Sequence, residues 1–291
     1  MKITKAVIPA AGLGTRVLPA TKSMPKEMLP IVDKPAIQYI VEEAVASGIT
    51  DILIITNRGK GLIEDHFDRV PELEARLTSG GPQKEAILRE VVDISHLANF
   101  YFVRQKETKG LGHAVSCARS FVGNEPFAVL YGDDVIIGDD PVCGQLMRAY
   151  EEFGVGALGV KEVSEEAIQK YSSLKVEPIR GNYYKCTDMI EKPTPDKIMS
   201  LFSILGRCVL TPDIFDIIDQ TPPGAGGEIQ LTDAMCTLAR RTGMIAVDFT
   251  GTRYDMGNKL GILQATCEVA LRHPEVGADF RRYLKELAKT L

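Results

Sequence analysis

A glycine-rich turn directly after a short apolar run is the feature that most constrains the fold of this chain. Residues 6–8 read Ala-Val-Ile and predict a buried strand, and Gly12 and Gly14 follow almost at once. Glycine permits positive φ, and small side chains let a ligand approach the backbone closely. The N–H groups that such a turn leaves free are suited to binding phosphate oxygens. A strand followed by this turn therefore predicts an α/β unit with an anion site at the end of the strand.

Three cations follow the turn: Arg16, Lys22 and Lys26. Each would be an unfavourable neighbour for the others without an anion between them. The dinucleotide-binding fingerprint needs a third glycine where this chain has Val17, and the P-loop pattern GxxxxGK[ST] is absent. A glycine turn alone is often merely structural. Together with the cations, this one indicates a cradle for a polyphosphate.

Strand and helix signals alternate as far as residue 160. Strands are predicted at 51–56, 100–103, 127–131 and 155–160. Helices are predicted from Ile37 to Gly48, within 60–95 with a break at 78–82, after Gly112, and at 141–153. The first strand–loop–helix–strand segment forms a βαβ unit, which requires parallel pairing and a right-handed crossover. The pattern predicts a Rossmann-like, doubly wound α/β fold with a mixed, mostly parallel sheet.

The second half is less regular. Strands are predicted at 174–177 and 183–190 around the turn at 180–182, and these would pair antiparallel. Further elements are predicted as a strand at 204–210, a helix to 218, a loop at 221–227, a helix at 228–242, a strand at 244–249 and helices from 259 and within 274–291. Because no linker separates the halves, residues 1–291 are interpreted as one elaborated domain.

Polar residues follow three of the predicted strands, at Gly12, Gln105 and Asp133. In doubly wound sheets ligands bind beyond the carboxyl ends of the strands, so these residues are expected to share one rim. Asp133 is either a cap of the turn after its strand or a Mg²⁺ ligand, because Mg²⁺ takes carboxylate and phosphate oxygens together. Asp255 also follows a strand-like stretch and could supply a second carboxylate, but the spacing does not establish that the two meet.

Two further positions stay open on the residues alone. Glu191 and Lys192 are either a solvated turn pair or a pair in which the carboxylate binds sugar hydroxyls and the ammonium binds a phosphate. The amide of Gln105 offers both a donor and an acceptor to a base edge, although a single glutamine is uninformative.

Composition excludes several classes of protein. The net charge of −5 argues against a general nucleic-acid binder, and no run of 18 uncharged apolar residues predicts a membrane span. Pro9 and the glycine turn interrupt the apolar start too early for a signal peptide. Six widely spaced cysteines predict reduced thiols in a cytoplasmic protein, and the four histidines share no metal-binding motif.

Seven motifs occur in the order found in a known family. They read AAGLGTRVLPATKSMPKEMLPIVDKPAIQYIVEEA, RQKETKGLGHAV, LYGDD, MIEKP, GRCVLTP, GGEIQLTDA and YDMGNKLG, between residues 9 and 261. The chain thereby closely resembles the bacterial UTP–glucose-1-phosphate uridylyltransferases, a branch of the sugar nucleotidyltransferase superfamily. The GxGTR and EKP elements are shared across the superfamily, whereas LPATKSMPKEMLPIVDKPAIQY is typical of this branch.

The resemblance implies Mg²⁺-dependent synthesis of UDP-glucose, a precursor of cell-envelope polysaccharides, from UTP and glucose 1-phosphate. It implies a direct in-line attack without a covalent intermediate, an antiparallel sugar-binding insertion, and a homo-oligomer, either a dimer or a tetramer. Residues 1–160 would form the nucleotide-binding part, 161–260 the sugar-binding part and 261–291 the C-terminal helices. No nucleic-acid or membrane partner is implied.

The site residues that the resemblance implies fall into four groups. The nucleotide loop would comprise Ala10, Ala11, Gly12 and Gly14, with Arg16 and Lys26 as the cations that bind the triphosphate. Uracil would contact Gln105 and Gly110. The metal would be held by Asp133, with Asp255 as the second carboxylate of the wider superfamily. The sugar would contact Gly159 and Glu191, and its phosphate Lys192.

Three alternatives to this interpretation share some of these sequence features. A nucleotidyltransferase of another base or sugar, such as a thymidylyltransferase, is the nearest. An NAD-dependent oxidoreductase is suggested by the βαβ start and Asp33 but disfavoured by Val17 and the cations. A non-catalytic UDP-sugar sensor could keep the glycine loop, but would have little reason to combine Asp133 with Lys192.

Overall fold

A computed structural model describes residues 2–290 of the chain. Its strands are β1 (Lys5–Pro9), β2 (Pro30–Ile31), β3 (Lys34–Pro35), β4 (Asp51–Thr56), β5 (Asn99–Arg104), β6 (Phe127–Leu130), β7 (Asp134–Ile137), β8 (Ala157–Glu162), β9 (Ser172–Arg180), β10 (Tyr183–Glu191), β11 (Phe202–Leu210), β12 (Met244–Asp248) and β13 (Thr252–Asp255). Its helices are α1 (Ala36–Ala46), α2 (Gly61–Phe67), α3 (Pro71–Ser79), α4 (Glu85–Ile94), α5 (Leu111–Ser116), α6 (Arg119–Val122), α7 (Val142–Phe153), α8 (Glu165–Ile168), α9 (Asp213–Gln220), α10 (Leu231–Thr242), α11 (Lys259–Arg272) and α12 (Gly277–Leu287).

A nine-stranded sheet forms the centre of the described part of the chain, in the order β5-β4-β1-β6-β11-β8-β12-β10-β9. The strands β5, β4, β1 and β6 pair in parallel, as do β8 and β12. The strands β11 and β10 run antiparallel to their neighbours. The predicted Rossmann-like fold with a mixed, mostly parallel sheet is confirmed.

Alternate side chains of the central strands enter two separate hydrophobic cores, one on each face of the sheet. In β1, Ala6 and Ile8 belong to one core and Val7 to the other, and β4 divides Ile52 and Ile54 from Leu53 in the same way. This follows from the two-residue period of a strand, and it explains why strands buried on both faces are continuously apolar in sequence. Helices cover both faces, so the sheet is doubly wound.

Two antiparallel features bring distant residues to the rim of this sheet. The pairing of β9 with β10 shifts in register between Cys186 and Asp188. At the start of β9, the backbone N–H of Ser172 donates to Oγ of Ser203 on β11 (3.1 Å). The strands β7 and β13 form a small sheet of their own, in which Asp255 pairs with Asp134. The hairpin was predicted, although its strands are longer than expected. The strand β7 was not predicted.

Most predicted helices are confirmed, with shifted ends. The helix predicted at 228–242 begins only at Leu231, because residues 225–227 form a short 3₁₀ turn with Gly226 at φ 73°. The region 60–95 contains α2, α3 and α4, and α3 and α4 are separated at Gly81. No helix within residues 2–290 has the length and apolar character that crossing a membrane requires.

Candidate active site

The glycine turn after β1 has the geometry that its residues predict. Gly14 lies in the left-handed region at φ 67°, and its carbonyl accepts a hydrogen bond from Oγ1 of Thr21 (2.7 Å). A Cβ at Gly12 would have only the Cε and Nζ atoms of Lys26 nearby, both at 3.7 Å. The backbone of the turn therefore lies open beside an ammonium group, as an anion site requires.

Lys26, Arg16 and two carboxylates converge at this turn. Nζ of Lys26 donates to Oδ2 of Asp133, and the guanidinium of Arg16 lies 3.5 Å from Asp133 and 3.7 Å from Asp255. The pairing of β13 with β7 brings Asp255 to this place, and the N–H of Met256 donates to the carbonyl of Asp133 (2.8 Å). The sequence left open whether the two aspartates meet, and the structure shows that they do.

The electrostatics favour the charged forms of Lys26 and Asp133. Burial alone would lower the pKa of Lys26, but the charges of Asp133 and Glu27 outweigh it and raise that pKa. Burial likewise opposes ionisation of Asp133, but Lys26 and Arg16 hold the pKa of its carboxyl below the usual value. Opposite charges at short range favour the charged form of both partners.

The two carboxylates and the guanidinium of Arg16 meet beside Gly257. A Cβ at this position would lie 2.8 Å from Oδ1 of Asp255 and 2.9 Å from Oδ2 of Asp133, and it would also overlap the guanidinium of Arg16. A single point is therefore within reach of an oxygen from each aspartate. Any side chain at Gly257 would fill that point.

Two adjoining cavities open at this rim of the sheet. The larger, of about 810 Å³, is lined by the predicted residues Gly12, Gly14, Arg16, Lys26, Asp133, Glu191, Lys192 and Asp255. The smaller, of about 390 Å³, is lined by Ala11, Gly12, Lys26, Gln105, Gly110 and Asp133. The structure thus gathers residues from six separate stretches of the chain. Ala10 and Gly159 are exceptions, because neither residue lines either cavity. Gly159 lies inside β8 against Phe249.

The smaller cavity ends at Gln105. This side chain is 5% exposed, and its amide nitrogen lies 3.1 Å from the carbonyl of Gly110 and 2.9 Å from Nδ1 of His113. These contacts occupy the amide nitrogen and leave the carbonyl oxygen as the acceptor for a ligand. Gly110 has φ 102°, and a Cβ there would lie 2.7 Å from the carbonyl oxygen of Ile229, so no larger residue fits.

Glu191 and Lys192 lie at the end of β10, on the wall of the larger cavity. Oε2 of Glu191 accepts a hydrogen bond from Oγ1 of Thr232 (2.8 Å), and burial raises the pKa of this carboxyl. Lys192 adopts φ 46°, and its backbone N–H donates to the carbonyl of Tyr171 (2.7 Å). A lysine in the left-handed region is uncommon, and strained backbone of this kind clusters at active sites and ligand-binding segments.

Several residues of the larger cavity were not identified from the sequence. Arg253 donates through Nε and Nη2 to Oδ1 of Asp134 (2.6 and 2.5 Å), and its guanidinium packs over the ring of Tyr171. Asp134 is thus engaged by an arginine. A signal for Arg253 was available, because it lies two residues before Asp255 on one strand and therefore on the same face. Tyr171 and Thr232 had no comparable signal.

The comparisons with known proteins agree with this geometry. The family model described as nucleotidyl transferase matches residues 5–271. A UTP–glucose-1-phosphate uridylyltransferase of Bacillus subtilis is 50% identical over 288 residues, covering 99% of this chain and 96% of that protein. One of Staphylococcus epidermidis is 51% identical over 286 residues, covering 98% of this chain and 99% of that protein.

Solved structures share the fold over nearly the whole chain. A UDP-glucose pyrophosphorylase complexed with UDP-glucose has a TM-score of 0.85 and 41% identity, covering 93% of this chain and 100% of that one. A UTP-bound enzyme of the same type from Acinetobacter baumannii has a TM-score of 0.90 and 38% identity, covering 98% and 99%. Because the family model matches residues 5–271, which is most of the chain, the chain belongs to the nucleotidyl transferase family.

Proposed function

We propose that this protein transfers the uridylyl group of UTP to glucose 1-phosphate, giving UDP-glucose and pyrophosphate. The observation that carries the proposal is the distribution of cations around one cavity. Arg16 and Lys26 lie beside the glycine turn, and Lys192 enters from the end of β10. Two separate groups of positive charge suit a site that holds two anions which repel one another. The two relatives named above are UTP–glucose-1-phosphate uridylyltransferases, which is the activity proposed here.

The reaction requires the side chains to position the two substrates rather than to act as nucleophile or base. A phosphate oxygen of glucose 1-phosphate attacks the α-phosphorus of UTP, and the bond to the β-phosphate breaks as its electron pair leaves with pyrophosphate. The attacking phosphate is already ionised near neutral pH, so no general base is needed. Holding the two anions in contact and stabilising charge on the leaving group supply the acceleration. Lys192 would bind the attacking phosphate, while Arg16 and Lys26 would stabilise the departing one.

The residues present fit a Mg²⁺ ion. Carboxylate oxygens of Asp133 and Asp255 approach one point beside Gly257, and they are hard donors of the kind that Mg²⁺ prefers. The guanidinium of Arg16 lies at that point in the structure, so it would have to turn aside for the ion. Within residues 2–290 no group of three or more His, Cys, Asp or Glu side chains is arranged to hold a metal, so phosphate oxygens and water would complete the ligand set. When bound, Mg²⁺ supplies positive charge at the phosphates. Asp134 is paired with Arg253 and is not assigned to the ion.

Recognition of the base is assigned to the smaller cavity. With its amide nitrogen held by Gly110 and His113, Gln105 presents its oxygen as an acceptor, which suits the N3–H of uracil. A sugar in the larger cavity would meet the carboxylate of Glu191, which Thr232 orients. Gly159 lies within β8 and lines neither cavity, so its predicted sugar contact stays a prediction.

We expect Gln105→Leu to raise the KM for UTP by about tenfold to 100-fold, because the acceptor for the base is lost and the partners of the amide nitrogen, Gly110 and His113, are left without it. The kcat of the variant, measured with both UTP and glucose 1-phosphate at saturation, should change much less. Steady-state kinetics with UTP and dTTP would measure this. An unchanged KM for UTP would contradict the role of Gln105, and Gln169→Leu on the surface is the control.

The function itself is tested by pyrophosphate release with glucose 1-phosphate and each of UTP, dTTP, ATP and GTP, with and without EDTA. We expect UTP to be used at least about tenfold more efficiently than the others, as a site built to hydrogen-bond one base should discriminate. EDTA should abolish turnover, and Mg²⁺ should restore it. A preference for another nucleotide, or full activity in EDTA, would contradict the proposal.

The assembly and location of the protein are proposed from its surface and its cysteines. Exposed apolar side chains on α11 and α12, including Leu260, Leu263 and Tyr283, support a homo-oligomer, either a dimer or a tetramer, which sedimentation would measure. A cytoplasmic location suits the free thiols, and UDP-glucose would serve as a precursor of cell-envelope polysaccharides. The division into nucleotide-binding, sugar-binding and C-terminal parts stays a prediction, because residues of the first two parts together line the larger cavity.

A further inference from the structure

A buried ion pair lies next to the active site but lines neither of its two cavities. It joins Glu43 of α1 to Arg207 of β11, and we refer to it as the Glu43–Arg207 pair. We propose that both members are positioning residues, which hold the turn that carries Asp133 in the place that the reaction requires. This inference rests on the proposed function, in which Asp133 belongs to the reaction site.

The pair is well formed and buried. Nε of Arg207 lies 3.0 Å from Oε1 of Glu43, and Nη2 donates to Oε2 (2.7 Å), so the guanidinium engages both carboxylate oxygens. Oε1 also accepts the backbone N–H of Cys143 in the first turn of α7 (2.9 Å). Arg207 is 1% exposed and Glu43 8%. The carboxylate of Glu43 therefore connects three elements, α1, α7 and β11, that are far apart in the sequence.

The two charges occupy positions that are otherwise part of the hydrophobic core. Val209, two residues along β11 on the same face as Arg207, is a core residue, and so are Ile40 and Ala44 beside Glu43 on α1. Removing two charges from water is unfavourable, and replacing a buried ion pair by apolar side chains of similar volume is often neutral or stabilising. Stability alone therefore does not account for the pair.

The backbone of Gly206 connects the pair to the active site. Nη1 of Arg207, which does not contact Glu43, donates to the carbonyl of Gly206 (3.0 Å). The same carbonyl accepts the N–H of Tyr131 (2.8 Å), the residue that follows β6 and begins the segment leading to Asp133. Arg207 and this segment are therefore joined through a single carbonyl oxygen.

Gly206 needs such a restraint because of its conformation. It has φ 81°, and it lies where the pairing of β11 with β8 shifts in register between Ile204 and Cys208. A Cβ at Gly206 would lie 2.7 Å from Cβ of Asp134, so only glycine lets the two segments come this close. Glycine is also the residue whose backbone changes direction most freely. The hydrogen bond from Arg207 limits that freedom.

A small displacement of this turn would move groups of the reaction site. The carboxylate of Asp133 accepts a hydrogen bond from Nζ of Lys26 and lies 3.5 Å from the guanidinium of Arg16. A misplacement of about 1 Å, caused by a change outside a site, can lower a rate by about 100-fold. The pair should therefore affect kcat although neither of its side chains reaches a cavity.

The main test is the double variant Glu43→Leu/Arg207→Met, which removes both charges at similar side-chain volume. We expect kcat for UDP-glucose synthesis to fall at least about tenfold. The KM for glucose 1-phosphate should stay within about threefold, since Lys192 lies on another segment. The free energy of unfolding in urea should equal or exceed that of the wild type. The matched control is Lys5→Met/Glu125→Leu, which removes an ion pair at the end of β1 that is remote from the glycine turn and should leave kcat unchanged.

Hydrogen exchange of single amides measures the positioning directly and needs no substrate. The N–H of Tyr131 should exchange at least about tenfold faster in the double variant, as expected for losing a hydrogen bond that supports its acceptor. The amides of β1 should exchange as in the wild type. A second variant, Arg207→Lys, keeps a charge for Glu43 but has a single donor group and cannot also reach Gly206. It should show the same faster exchange and the same fall in kcat.

An unchanged exchange rate at Tyr131 in both variants would overturn the inference, as would a kcat within about threefold of the wild type in both. Faster exchange throughout the core, or failure of both variants to fold, would also overturn it, because a pair that serves stability alone gives that result. A wild-type protein that forms no UDP-glucose would instead overturn the proposed function. The exchange rates would still decide whether the Glu43–Arg207 pair positions the turn.

Discussion

Asp133→Asn is expected to lower kcat for UDP-glucose synthesis by at least ~100-fold, the scale of losing one preorganised electrostatic contact. The carboxylate of Asp133 accepts a hydrogen bond from Nζ of Lys26. It lies 3.5 Å from the guanidinium of Arg16 and close to Gly257. Asparagine keeps the shape but removes the charge that holds both cations in place. It also removes one of the two carboxylates within reach of a bound Mg²⁺.

Steady-state kinetics across a range of Mg²⁺ concentrations would measure this effect, together with a calorimetric titration of Mg²⁺ into the protein. The half-saturating concentration of Mg²⁺ should rise along with the loss of kcat. Asp139→Asn is the matched control, because Asp139 is an exposed aspartate on the same segment and lines neither cavity of the active site. A folded Asp133→Asn protein with kcat within threefold of the wild type would remove Asp133 from the mechanism.

The parts of the fold that were predicted are those decided by local sequence. The strand β1, its glycine turn, the helix α1 and the strand β4 follow from apolar periodicity and from Gly12 and Gly14. The convergence of Gln105 and Asp133 on one rim followed from a general property of parallel sheets rather than from any long-range signal. Such features need no knowledge of which distant residues touch.

The parts that could not be predicted depend on contacts between distant segments. Asp255 meets Asp133 only because β13 pairs with β7 across about 120 residues of sequence, and β7 is too short to stand out. The orientation of Glu191 by Thr232, and the pairing of Arg253 with Asp134, are likewise tertiary contacts. The motifs pointed to residues of which most line the two cavities, but only the structure shows how they are held.

Lys192 illustrates how such a contact can work against local preference. The bond from its N–H to the carbonyl of Tyr171 accompanies a backbone at φ 46°, which a residue with a Cβ adopts only at a cost of about 1 kcal/mol. Its side chain is exposed on the cavity wall and forms no ion pair within residues 2–290. No packing or pairing of the side chain therefore compensates for the cost. The proposed binding of the attacking phosphate would give a lysine at this position a function.

Lys192→Ala and Lys192→Gly are accordingly both expected to lower kcat at least ~100-fold, because each removes the cation on the attacking side. The two variants should differ in stability: glycine relieves the strain, so Lys192→Gly should have a free energy of unfolding about 1 kcal/mol higher than Lys192→Ala. Urea denaturation and steady-state kinetics measure the two effects, with Lys197→Ala as the exposed-lysine control. Near-normal kcat in either variant would show that Lys192 does not bind the attacking phosphate. Equal stabilities would show that its backbone is not strained.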